Sequence, residues 1–157
     1  MSVNRRAFLK STSIGIAAIS GCVSQLHSQY VAPNSPLETE FEVYEPGSEA
    51  YENAPEIQRR PTVEFRPEET QVVVVGKFFV GSSDCNRAVL ENAAYDSDSK
   101  HLDIRVGSGS KDSDENGCSA DESPDAYRLT VALAEEIPDS VTVVQAGNEE
   151  NEWTVQR

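Results

Sequence analysis

From residue 62 onward the chain alternates apolar and polar positions in short runs with a period of two. His101–Val106 sets Leu102, Ile104 and Val106 against Asp103 and Arg105. Tyr127–Leu133 sets Tyr127, Leu129, Val131 and Leu133 against Arg128, Thr130 and Ala132. A side chain that changes face at every residue marks a strand with one buried face. Gln71–Val80 differs: Val72–Val75 and then Phe78-Phe79-Val80 are apolar on both faces, which predicts a strand central to the domain. Thr62–Phe65, Ser140–Ala146 and Glu152–Gln156, with Trp153 beside Val155, add three shorter runs. Arg87–Tyr95 is a weaker pattern, open to reading as a helical turn, and is assigned as strand. Turn-forming residues separate the runs at 81–84, 96–99, 137–139 and 147–148. Gly107-Ser108-Gly109-Ser110 reads as another such turn, and not as a phosphate loop, because no G-x-x-x-x-G-K pattern follows.

Seven short strands in residues 62–157 predict an all-β domain, an immunoglobulin-like β-sandwich. The Cys–Trp–Cys order of true immunoglobulin domains is missing, since Trp153 follows both domain cysteines. Residues 22–61 hold five of the eight prolines and read as an acidic tether of roughly 35 Å as a flexible coil. Within it Leu37, Thr39, Phe41 and Val43 alternate with Glu38, Glu40 and Glu42. That is a strand pattern, fitting an added edge strand or an extended piece that pairs with a partner.

Residues 1–21 read as a targeting segment, excluded from the fold. Arg5, Arg6 and Lys10 precede a short apolar run, Ile14–Ile19, too brief for the ~20 residues that span a bilayer. Arg5-Arg6 followed by Phe8-Leu9-Lys10 resembles a twin-arginine export signal, whose pathway carries folded proteins. Ile19-Ser20-Gly21-Cys22 resembles a lipobox, in which the cysteine sulfur takes a two-chain lipid and the chain is cut before it. Two chains anchor stably where one does not, at about 0.8 kcal/mol per buried methylene.

Charge sharpens this picture. The chain has 27 acids and 13 bases; cutting before Cys22 removes three bases and no acid, leaving 27 − 10 = 17 negative charges. Such an excess self-repels unless salt shortens the Debye length, to about 3 Å near 1 M. The acidity reads as solvation and argues against nucleic acid, whose binders present basic surfaces. With Cys22 assigned to lipid, Cys85 and Cys118 remain as an even pair, expected to form a disulfide tying two loops at one end of the sandwich.

Gly81-Ser82-Ser83-Asp84-Cys85-Asn86-Arg87-Ala88, Tyr95-Asp96, Gly117-Cys118, Tyr127-Arg128 and Ile137-Pro138 resemble a group of haloarchaeal twin-arginine-exported lipoproteins. The resemblance covers about the last hundred residues. It implies a common fold and a bridged cysteine pair, and no established activity.

Candidate chemistry is sparse. Asp112-Ser113-Asp114-Glu115-Asn116-Gly117 matches the first half of a calcium loop, with Asp112, Asp114 and Asn116 as oxygen donors. The second half fails, because the position needing a bidentate Glu is Ser123. The competing reading is a solvated acidic loop closed by Cys118. His101, the domain's one histidine, opens a strand without a sequence-visible partner, and no G-x-S-x-G or H-E-x-x-H motif occurs. Tyr95 and Tyr127 belong to strand patterns and are expected in the core; Tyr44 and Tyr51, in the tether, are candidate partner contacts.

The sequence thus points to a non-enzymatic envelope protein on the outer face of the cell membrane. Cys22 would hold it there through lipid, and it would meet an extracellular protein or glycan without a cofactor. A calcium-dependent binding module and a secreted enzyme are the two rivals.

Overall fold

The computed structural model describes residues 37–111 and 117–157. The export-signal residues, Cys22 and the half-loop of Asp112, Asp114 and Asn116 lie outside the described residues. Eight strands form: β1 (Leu37–Tyr44), β2 (Thr62–Arg66), β3 (Gln71–Gly81), β4 (Asn86–Asp96), β5 (His101–Ser110), β6 (Ser123–Leu133), β7 (Ser140–Ala146) and β8 (Glu150–Gln156). A short helix, α1 (Glu49–Asn53), lies between β1 and β2. The strands make two four-stranded sheets, ordered β1-β6-β3-β2 (sheet A) and β4-β5-β7-β8 (sheet B).

The alternation read from the sequence decides which side chains face the interior. Val72, Val74, Phe78 and Val80 of β3 and Tyr127, Leu129, Val131 and Leu133 of β6 line sheet A. Leu102, Ile104 and Val106 of β5 and Val141 and Val143 of β7 line sheet B. These residues form one core, so the chain is an all-β sandwich as expected. The finer immunoglobulin-like arrangement is another matter. Such domains pair two antiparallel sheets, whereas β5 and β7 run parallel, His101 opposite Ser140 through Gly107 opposite Ala146. Parallel neighbours need a crossover between them. Here β6, which belongs to the opposite sheet, provides it.

Two expectations need correction. The segment 22–61 is not tether throughout. Leu37–Tyr44 pairs along its whole length with β6, from Leu37 opposite Leu133 to Tyr44 opposite Ala126. Its apolar set explains this: Leu37, Phe41 and Val43 pack on the core while Glu38, Glu40 and Glu42 stay exposed. The following segment then straps the outer face of sheet A. The Ser48 hydroxyl caps α1 by accepting from the Tyr51 N–H at 3.2 Å, and the Tyr51 hydroxyl donates to the Pro124 carbonyl at 3.3 Å. The Lys77 ammonium sits 4.1 Å from the centre of the Tyr51 ring. Tyr51 thus contributes to the fold.

The second correction concerns Gly107-Ser108-Gly109-Ser110, which is not a turn but the last stretch of β5, paired with Val89–Asn86 of β4. The reason lies in the neighbouring strand. β4 bulges at Glu91, and a Cβ on Gly107 would come within 1.9 Å of the Glu91 carboxylate; on Gly109 it would meet Val89 at 2.6 Å. Glycine inside a strand marks such a close approach.

The direction in which β1 faces is testable. Phe41→Ala should cost about 2 kcal/mol in urea unfolding, a half-buried fraction of a core phenylalanine truncation. Glu40→Ala should stay within about 0.5 kcal/mol. Equal effects would mean that β1 does not pack as described.

Candidate functional sites

The strands carry the loops to two ends. One end holds the β3–β4 turn, residues 82–85, and the β5–β6 connection, residues 111–122. Cys85 and Cys118 are joined there, their Cα atoms 5.5 Å apart and 33 residues apart in sequence. Hydrogen bonds knit the same two loops. The Ser82 and Ser119 hydroxyls lie 3.0 Å apart, and Ser119 in turn donates to the Asp121 carboxylate. The Ser83 N–H reaches Asp121 at 3.4 Å, and the Lys111 N–H donates to the Cys85 carbonyl at 2.6 Å. The Ser119 hydroxyl and then the Ser83 contacts hold the Asp121 carboxyl below its usual range. Ser82 and Ser83 thus serve loop structure. Gly117 stands at φ +76° with open space where a side chain would be.

The expected disulfide is present, and it ties two loops as the sequence suggested. The calcium half-loop begins immediately after Lys111, outside the described residues. Among the described residues no group of three or more His, Cys, Asp or Glu is arranged to hold a metal ion.

His101 has partners that the sequence did not reveal. Its Nδ1 lies 2.6 Å from the Ser140 hydroxyl, and its Nε2 lies 3.2 Å from Asp103 Oδ1. The parallel register puts Ser140 beside it, and the period of two puts Asp103 on the same face. These three residue types also make up hydrolytic triads. A triad needs preorganised donors aimed at the developing oxyanion. The group lies on the outer face of sheet B, where backbone N–H groups are committed to the ladder, and the Ser140 N–H points to the Lys100 carbonyl at 3.4 Å. The arrangement pins the starts of β5 and β7 together. Nearby, Asp96 closes the β4–β5 turn. It accepts from the Ser99 hydroxyl at 2.7 Å and from the Asp98 and Ser99 N–H groups, contacts that hold its carboxyl below the usual range.

Charged side chains also link strands across the outer faces. Arg105 grips Glu91 at 2.8 Å and Glu150 at 2.7 Å, linking the β4 bulge to β8 across β7. On sheet A a shallow depression is lined by Glu40, Glu42, Arg128 and Thr130; His101 is not part of it. Of the aromatics, Tyr127 is fully buried and Tyr95 packs on the core, as expected, while Trp153 stays half-buried on the edge strand β8.

Two outcomes follow from this geometry. Reducing the Cys85–Cys118 bridge should lower stability by about 4 kcal/mol in the chain-entropy account, read as a drop in urea midpoint. An unchanged midpoint would show that the hydrogen bonds alone hold the loops. For Asp96 the folded pKa lies below the unfolded one, so its contribution is present above the unfolded value, near pH 4. It fades as pH falls through the folded value. Asp96→Asn should therefore destabilise at pH 7 and flatten the acid limb of the stability profile below about pH 4; a parallel profile would count against this.

Comparison with protein families, with curated proteins and with solved structures returns no match.

Proposed function

We propose that this chain is an exported, lipid-anchored envelope protein whose sandwich serves a non-catalytic interaction or architectural role. One observation carries the reading. Cys85 and Cys118 are bonded to each other, so Cys22 is the one cysteine left over, and it is the one in the Ile19-Ser20-Gly21-Cys22 box. A structural disulfide also suits an oxidising exterior.

The described chain begins at Leu37, opposite Leu133, at the far end of sheet A from the bridged loops. Only residues 22–36 separate the lipid cysteine from the first strand, a reach of at most about 50 Å. The eleven residues of β3 then carry the chain about 35 Å to the Cys85 turn. Seventeen net negative charges suit a surface protein in concentrated salt, where solvated carboxylates keep the fold soluble.

The anchor is tested by fractionation. Cys22→Ser should move the protein from the membrane to the medium, and Arg5→Lys with Arg6→Lys should keep it inside the cell. Membrane retention of the first variant would overturn the lipid assignment, and normal secretion of the second would overturn the export route.

A further inference from the structure

We infer that β8 is a self-association edge, which pairs antiparallel with β8 of a second copy about a two-fold axis at Trp153. A sheet edge offers a row of unpaired backbone groups, and natural sheets blunt their edges. Among the described residues the sandwich has four edges: β1 and β2 in sheet A, β4 and β8 in sheet B. Three of them are guarded. β2 is five residues long, held between Pro61 and Pro67. β4 carries the Glu91 bulge, which breaks its register. β1 exposes Glu38, Glu40 and Glu42 in succession, so a long self-pairing sets glutamate against glutamate. β8 has no proline, glycine, lysine or bulge, and it runs in unbroken register with β7 from Glu150 to Gln156.

Charge selects one alignment. A two-fold axis perpendicular to the sheet keeps every residue on its own face, so the pairing is centred on a single residue. Centres at Glu150, Asn151 or Glu152 each bring two glutamates directly opposite. Centred on Trp153, Glu152 faces Thr154, Glu150 faces Gln156 and Glu149 faces Arg157, with no like charges opposed. This is the longest pairing free of such conflict. It also sets Trp153 against its own copy. Trp153 points to the inner side of β8 yet lies half-buried and outside the core cluster, and tryptophan is among the residue types enriched at interface hot spots. Cross-strand aromatic pairs add to strand pairing.

The edge is small and both copies are strongly acidic, so the dimer is salt-dependent, strengthening toward 1 M as the Debye length falls to about 3 Å. Cross-linking reads the register directly. The full chain is prepared with Cys22→Ser as two single variants, Glu152→Cys and Thr154→Cys, both at exposed positions on the outer face of β8. In molar potassium chloride under mild oxidation, the mixture should give a disulfide dimer on a non-reducing gel at least tenfold above either variant alone. Equal dimer in the single-variant samples means random collision and overturns the register. No dimer in the mixture, with both variants folded by circular dichroism, overturns the edge itself. Neither outcome bears on the lipid anchor, which fractionation tests separately.

Discussion

The sandwich turns on one buried polar contact. Gln145 of β7 donates from Nε2 to the Tyr127 hydroxyl of β6 at 3.0 Å, and both residues are fully buried. The bond joins the two sheets through the middle of an apolar core, where an unpaired donor or acceptor would cost about 1–3 kcal/mol. Its setting is fixed from all sides. Phe41 stacks on the Tyr127 ring at 5.5 Å and Phe78 meets it edge-on at 5.9 Å. Gly76 leaves the space that the pair occupies: a Cβ there would fall 2.4 Å from the Gln145 amide and 2.7 Å from the phenol oxygen. Burial pushes the phenol pKa upward, so it remains a neutral hydrogen-bonding group. Any slip of β3, β6 or β7 by one residue would turn these side chains to the solvent face.

Around that contact the two ends of the sandwich are closed by different means. At the disulfide end, covalent and polar ties act together. Asp125 accepts from the Ala88 N–H at 2.7 Å, and Ser108 donates to the Val80 carbonyl, each joining sheet A to sheet B. Gly147 lets the β7–β8 turn approach the Phe79 carbonyl, which a Cβ would meet at 2.0 Å. The opposite end relies on exposed ion pairs and turns: Lys100 with Glu136 at 2.9 Å, Arg157 with Asp139, and His101 between Ser140 and Asp103. Exposed pairs contribute little each and are screened by salt. High salt therefore weakens the ties at this end more than those at the disulfide end.

The seven strands expected from residue 62 onward were legible because each buries one face, and a period of two survives in the sequence whatever the strand pairs with. β1 was legible as a strand for the same reason, but not its attachment to β6, since alternation names a buried face and not the neighbour. Gly107–Ser110 was misread because glycine and serine look like a turn until the Glu91 side chain lying over Gly107 is known. His101 looked solitary because Ser140, 39 residues away, meets it only through a parallel pairing that no local pattern encodes.

The sequence by itself determined the strands, their buried faces, the acidity and a cysteine pair suited to a bridge, because all of these follow from local periodicity and residue count. Only the tertiary structure decided the two-sheet strand order, the parallel β5–β7 pairing, the Tyr127–Gln145 bond and which end of the sandwich carries the bridge. These depend on contacts between residues far apart in the chain. Their identity is set by shape and by the space left at Gly76 and Gly107.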